Sequence, residues 1–256
     1  MTDSFKKLFG PQAANYTKYR EPYPKELFDF LVEQIPEGSN NILDLACGTG
    51  KSTEPLVGAN LKVTGVDHDP EMIEEARKQA KLKNLNIDYR VSDVEHLPFP
   101  DNYFEVVTIG TALHFFVNDT AVSEIKRVLK PEGLLFAYWT LTTKEIPEED
   151  EIPPAIYRKY NWTKVPSSLR DLAHISDFFK KAGLQKVSTK RIPITFNTTV
   201  EERVGLQTTS GTYELLSKPD KESFLNEVKD ALTQKLGDRP FFTLEEEIQV
   251  CYGFKD

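Results

Sequence analysis

A chain of 256 residues, 39% hydrophobic and 28% charged, has material for one large core or for one core carrying a smaller insertion. Its formal net charge of −8, with the basic residues scattered, argues against a polyanionic partner, so neither nucleic acid nor an anionic membrane surface is expected. The two cysteines, Cys47 and Cys251, form neither a disulfide framework nor a metal-ligand spacing, the N-terminal MTDSFKKLFG lacks a signal-peptide core, and no stretch is long enough to span a bilayer; a soluble cytoplasmic protein is the expectation.

Helix and strand patterns alternate along the first half. Leu27, Phe28, Leu31 and Ile35 fall at helical spacing within Pro24 to Ile35, and Ile42 to Leu45 reads as a short buried strand. A second strand spans Leu61 to Val66. Asp69-Pro70-Glu71 then opens a helix whose apolar face is Met72, Ile73, Ala76 and Ala80. Strands follow at Ile87 to Val91 and Val106 to Ile109. A helix bearing Val122, Ile125, Val128 and Leu129 runs into the turn Lys130-Pro131-Glu132-Gly133, and Leu134 to Trp139 is the next strand. Such alternation implies an α/β fold with a mostly parallel sheet covered on both faces, and in such sheets ligands bind beyond the carboxyl ends of the strands.

The pattern changes after Leu141. KEIPEEDEIPP, residues 144 to 154, reads as an acidic, proline-rich exposed excursion, and the aromatic YRKYNW after it as part of a lid. Ser168 to Ala182 is expected to be a helix ended by Gly183. The last strands are placed at Val187 to Phe196 and Glu246 to Tyr252, with helices between them carrying Val204 and Leu206, then Phe224, Leu225, Val228 and Leu232.

LDLACGTGKST, residues 43 to 53, ends like a phosphate-cradling P-loop. The first glycine of that pattern falls on Leu45, and the strand Val106 to Ile109 ends in Gly110 rather than the magnesium-managing Asp, so Lys51 and Ser52 are read as the start of a helix. A dinucleotide fingerprint is half present: Gly48-Thr49-Gly50 with Thr53 in place of the third glycine, and Asp67 at the end of the second strand. Asp44, just ahead of the turn, would oppose a pyrophosphate and suits a ligand carrying an ammonium or a sulfonium.

These stretches resemble the class I S-adenosylmethionine-dependent methyltransferases of the type 11 group, in particular the small-molecule enzymes that include trans-aconitate methyltransferase. The resemblance covers about the first 140 residues. It implies a Rossmann-like, seven-stranded, mostly parallel sheet with an N-terminal helical lid and an insertion after the fifth strand. ILDLACGTG (42 to 50) resembles the first motif: Asp44 would help hold the cofactor's amino group, and Ala46, where many members carry glycine, Cys47 and Gly48 would offer backbone. VTGVDHDPEM (63 to 72) resembles the next, with Asp67 accepting from the ribose hydroxyls and His68 and Met72 beside the adenine. VSDVEHLPFPDNYFEVVTIGTALHFF (91 to 116) resembles the third, where Asp93 would accept from the adenine amino group, Val94 offer backbone, and Gly110 and Thr111 lie under the methionine moiety. AANYTKYREPYP (13 to 24) resembles the lid helix, on which Tyr16 and Arg20 share a face and Arg20 would pair with a carboxylate of cofactor or substrate.

His114 occupies the position that faces the methyl acceptor in this group. It is a general base, a donor that fixes a substrate carboxylate, or a buried histidine satisfied by backbone. Trp139 would border the same cavity, or only pack. Cys47 is read as a small filler of the loop, because no base partner is visible. Tyr157, Tyr160, Trp162 and Gln207 are available to line the acceptor cavity.

The expected organisation is one domain in three parts: lid helices at 1–40, the cofactor-binding core at 41–140, and the substrate-side insertion with completion of the sheet at 141–256. The expected activity is methyl transfer from S-adenosylmethionine to a small molecule, with a carboxylate oxygen as acceptor and no metal. Two other readings stay open, a nucleotide-dependent oxidoreductase and a non-catalytic cofactor-binding partner of another methyltransferase.

Overall fold

The computed structural model describes residues 10–57, 61–115, 118–142, 152–162 and 172–256. It divides into two compact units. The larger comprises Pro22–Leu141, Pro166–Ile192 and Ile248–Asp256, and the smaller Met1–Glu21, Thr142–Val165 and Pro193–Glu247. This division differs from the sequence partition, because residues 22–40 belong with the sheet and only the segment before Pro22 belongs with parts of the second half.

Seven strands form one sheet: β1 (Asn41–Leu45), β2 (Lys62–Asp67), β3 (Asp88–Val91), β4 (Phe104–Gly110), β5 (Leu129–Thr142), β6 (Gln185–Thr198) and β7 (Phe242–Phe254), in the order β3-β2-β1-β4-β5-β7-β6. The pairs β1–β2, β1–β4, β2–β3 and β4–β5 are parallel. Strand order reverses between β1 and β4, which places the turn after β1 at the switch point where a sheet of this type leaves a crevice. The units divide within β6 and β7, at Pro193 and Ile248.

In the larger unit the expected helices form for legible reasons. Asp69 caps the helix Pro70–Leu82 by accepting from Glu71 N (2.9 Å) and Met72 N (3.4 Å), Pro70 fits its first position, and Met72, Ile73, Ala76 and Ala80 are buried. Asn118 accepts from Ala121 N at 2.9 Å and starts the helix Asp119–Val128, which buries Ala121, Ile125 and Val128. These three pack with Leu43, Val107, Ile109, Leu135 and Ala137 of the strands and with Ile175 and Phe179 of the helix Leu172–Lys181, each large aliphatic contributing about 2 kcal/mol of burial. The helix Lys25–Gln34 buries Leu27, Phe28 and Leu31 and sets Phe30 against Phe136 and Tyr252.

Three expectations change. Lys51 and Ser52 lie in a turn, and the short helix Glu54–Val57 begins only after Thr53. The turn at Lys130 to Gly133 falls inside β5 as a bulge: the register passes from Phe104↔Leu129 to Val106↔Leu134, Glu132 has φ 60°, and Lys255 pairs with Glu132 and Gly133. Lys255 Nζ then donates to Leu129 O and Lys126 O, closing the end of the helix before it. The helix expected from Ser168 is seen as Leu172–Lys181, and residues 168–171 lie outside the described residues, as does the acidic excursion up to Glu151.

The smaller unit has its own apolar cluster. Phe224, Val228 and Leu232 of the helix Lys218–Leu236 pack with Ile152, Tyr160 and Phe242. Trp162 stacks on Phe224 with centroids 4.7 Å apart, Tyr160 meets it edge-on at 5.3 Å, and the Tyr160 hydroxyl donates to Glu227. Tyr157, Tyr160 and Trp162 thus pack in this cluster, Tyr160 buried and the other two partly so. Gln207 is buried too, accepting from Tyr157 Oη at 3.2 Å and donating to Arg203 O. The helix Ala13–Tyr19 seats Tyr19 on Gly205 of the helix Val200–Gln207, where a Cβ would come within 2.3 Å of the ring.

Candidate functional site

The turn after β1 is built on two carboxylates. Asp44 is fully buried, and its Oδ2 accepts from Ser52 Oγ (2.7 Å) and Thr53 Oγ1 (2.6 Å) while Oδ1 accepts from Thr108 Oγ1 of β4 (3.0 Å). It thus ties the end of the loop and the neighbouring strand to β1. Burial raises its pKa, opposed by the three hydroxyls and reinforced by the charge of Asp67. In this arrangement Asp44 is enclosed by hydroxyls and holds the loop, alongside the ligand-amine role that the resemblance implies for it.

Asp67, at the end of β2, has another environment. Its Oδ2 accepts from Gly48 N and its Oδ1 from Asp69 N, both at 2.9 Å, and His68 Nδ1 lies 3.2 Å from Oδ1. An ionised carboxylate has about four acceptor sites, so the two backbone bonds orient the group without exhausting it. Gly48, at φ 54°, has nothing within 4 Å of where a Cβ would stand, so the backbone there is open to a closely approaching ligand. Two residues earlier Ala46 holds φ 58°, a left-handed conformation that glycine adopts without strain. Space adds a second reason at Gly50, itself at φ 88°, and the reason at Gly65: a Cβ would lie 2.2 Å from the Tyr89 hydroxyl at Gly50 and 2.5 Å from the Tyr89 ring at Gly65.

Cys47 is buried behind this turn, its thiol pushed well up by burial and by the charges of Asp67 and Asp44, which makes it an unreactive filler. Asp93 is half-buried and caps the turn Val94–His96 by accepting from Glu95 N at 3.1 Å, while Val94 is buried in the core. Met72 is 4% exposed and belongs to the buried face of its helix. Gly110 gives room to Tyr138, whose hydroxyl would lie 2.8 Å from a Cβ there. Thr111 follows at φ 55°, donates its N–H to Tyr138 O, and shares a 2.9 Å hydroxyl bond with Tyr23, which meets the Tyr138 ring edge-on.

Beyond β4 and β5 a small concavity is lined by Thr111, Ala112, Leu113, His114, Tyr138, Trp139 and Ile175. His114 is half-buried there, its ring 3.9 Å from that of Phe115; Phe116 lies outside the described residues. Trp139 is 3% exposed and its Nε1–H has no partner. Among the described residues no group of three potential metal ligands occurs, and no helix is long and apolar enough to cross a membrane.

Tyr16 and Arg20 belong to the smaller unit. Arg20 lies over the Tyr16 ring, 5.2 Å from its centroid, and its Nε donates to Thr209 Oγ1 at 2.9 Å.

The larger unit offers a donor and acceptor set of definite chemistry. Asp67 and Asp93 at two strand ends suit hydroxyl and amine donors, the backbone at Gly48 is open, and Thr49 Oγ1 is buried without a partner beside it. S-adenosylmethionine, a cation with a ribose diol and an adenine amine, fits such a set, and a pyrophosphate does not. Residues 43–137 match the family described as methyltransferase domain. The match is to a methyltransferase-domain model, and the sheet around it has the Rossmann-like methyltransferase fold.

Similar proteins extend along the whole chain. An uncharacterized methyltransferase-like protein of Schizosaccharomyces pombe is 28% identical over 250 residues, covering 96% of this chain and 92% of its own. A putative type II methyltransferase from Anaeromyxobacter dehalogenans has the same fold, with a TM-score of 0.64 at 19% identity over 93% of this chain and 97% of that one. The Haemonchus contortus phosphoethanolamine N-methyltransferase 2, solved with S-adenosylhomocysteine, gives 0.60 at 18% identity over 99% of this chain and 60% of that one.

Sequence reasoning missed the hydroxyls that hold Asp44, namely Ser52, Thr53 and Thr108, and the contact of Tyr23 with Thr111. Ser52 and Thr53 sit in the motif and could have been weighed as carboxylate partners; Thr108 and Tyr23 carry no local signal.

Proposed function

We propose that the protein transfers the methyl group of S-adenosylmethionine to a small-molecule acceptor, a carboxylate-bearing compound methylated on oxygen. The observation that carries the cofactor half is the pairing of Asp67 with the open Gly48 turn: an oriented carboxylate beside exposed backbone, at the switch point of the sheet. In this reading Asp67 accepts from the ribose hydroxyls, Asp93 and Val94 meet the adenine edge, and His68 and Met72 flank the ring. Ala46, Cys47 and Gly48, with Gly110 and Thr111, approach the methionine part through backbone. When bound, the cofactor supplies a methyl group already activated on a sulfonium, for in-line transfer to an acceptor lone pair.

A carboxylate acceptor needs no general base, so His114 orients it by donating a hydrogen bond, and Trp139 borders it. Arg20, whose Nε rests on Thr209, keeps a role as carboxylate partner on the resemblance alone. The ranking of a carboxylate first rests on the likeness to the group that includes trans-aconitate methyltransferase. No nucleic acid, membrane or metal takes part in this reading.

Isothermal titration with S-adenosylhomocysteine, with magnesium ATP and reduced nicotinamide as controls, tests the cofactor half. Binding of the thioether alone supports the reading; binding of either control in its place overturns it. A panel of carboxylic acids with methyl-labelled cofactor tests the acceptor half. His114→Ala should then lower turnover while leaving thioether affinity intact, and an unchanged rate returns His114 to the core.

A further inference from the structure

Trp139 ends in a group that the fold leaves unanswered. The indole has one polar atom, a donor with no acceptor capacity, and a buried N–H without a partner is costly enough that such groups are rare in folded chains. Here Nε1–H is buried and has no partner, and its residue lines the concavity together with Thr111, His114 and Tyr138. That concavity has room for about one water-sized group, which is also the size of a single oxygen atom. Its floor is set with care: Thr111 is held at φ 55° by its N–H on Tyr138 O and its hydroxyl against Tyr23. A left-handed threonine in one wall, and an unused buried donor on a residue of another, are features that a preorganised subsite can exploit.

The geometry points to Trp139 as a specificity-determining residue: its indole N–H donates a hydrogen bond to an oxygen of the methyl acceptor, seated in the notch formed with Thr111 and His114. This rests on the methyltransferase reading and deepens it. A donor-only group selects for a lone pair and against an ammonium, so it admits a carboxylate and rejects a protonated amine. With one carboxylate oxygen on the indole, the other is left to take the methyl group: a C–O bond forms from its lone pair, and the S–C pair leaves with the sulfur.

The test is the indole N–H resonance of the full chain, labelled with nitrogen-15 and saturated with S-adenosylhomocysteine, titrated with benzoate and separately with benzylamine. Two indole signals are expected, from Trp139 and Trp162. Trp139→Phe removes one and Trp162→Phe the other, so either variant makes the assignment if its counterpart fails to fold. The expected result is a saturable downfield shift of the Trp139 signal with benzoate and none with benzylamine. No shift with benzoate, or an equal shift with both, overturns the proposal. Failure of the thioether to bind at all would instead strike the cofactor reading, which the preceding titration detects separately.

Discussion

Replacing Asp44 separates its two conceivable roles. Asp44→Ala would leave the hydroxyls of Ser52, Thr53 and Thr108 without their acceptor at sites 6%, 0% and 1% exposed. Hydrogen bonds to a charged group contribute about 1.5–3 kcal/mol each. Removing a buried carboxylate also relieves its desolvation, which offsets several kcal/mol. The net loss is about 2–4 kcal/mol, or roughly 5–15 °C in Tm for a chain of this size. Asp44→Asn should cost about 1 kcal/mol, since the amide oxygen can still accept from Ser52 and Thr53 while the Thr108 hydroxyl turns to accept from the amide. The assay is urea and thermal unfolding without any ligand, followed by thioether titration of the folded variants. Unchanged ligand-free stability with lost affinity would refute the structural role and restore Asp44 as a ligand-gripping group. The pH dependence has a definite sign. Burial raises the folded pKa above the ordinary value of 3.8, so the folded state holds this proton more tightly and Asp44 takes stability away as pH rises from about 3.8 through its folded value. Asparagine does not titrate, so the gap between wild type and Asp44→Asn should narrow as pH rises above about 4.

Ala46→Gly should raise stability by about 0.5–1 kcal/mol, because relief of a left-handed alanine outweighs the extra freedom that glycine adds to the unfolded chain; a lower urea midpoint would contradict the strain. Gly205→Ala should loosen the N-terminal helix by driving a methyl into the Tyr19 ring, at a cost of about 1–3 kcal/mol, read as faster proteolysis before Glu21. Neither thiol should react with Ellman's reagent in the folded state at about pH 8, since burial pushes Cys47 well up and Cys251 to about 12; prompt reaction of either would show that the loop or β7 opens readily.

What could be read from the sequence was local. Asp69-Pro70 announces a helix because cap and first-turn proline are neighbours in the chain, and the apolar runs of β1, β2 and β4 announce buried parallel strands for the same reason. The order of the motifs was enough to put Asp67 and Gly48 at one crevice. What could not be read depends on partners far along the chain. Thr108 reaches Asp44 across 64 positions, and a serine or threonine at such a distance looks like any other. Tyr157, Tyr160 and Trp162 resemble a lid when read alone, and only Phe224 beneath them makes them a core. The grouping of the N-terminal helix with residues after Pro193 follows from Tyr19 on Gly205 and Arg20 on Thr209, contacts invisible to periodicity.

The Tyr89 ring has a consequence for how this loop can vary. It occupies the space that side chains at Gly50 and Gly65 would need, so the three positions share one volume, to which Gly50 adds its own left-handed backbone at φ 88°. Alanine at residue 65 should be strongly destabilising beside tyrosine and much less so beside a small residue at 89, where the Cys47 sulfur, 3.1 Å from the new Cβ, must still give way. The loop's freedom to diverge is therefore epistatic: the aromatic ring must shrink before Gly65 can grow, and Gly50 stays tied to its backbone conformation even then.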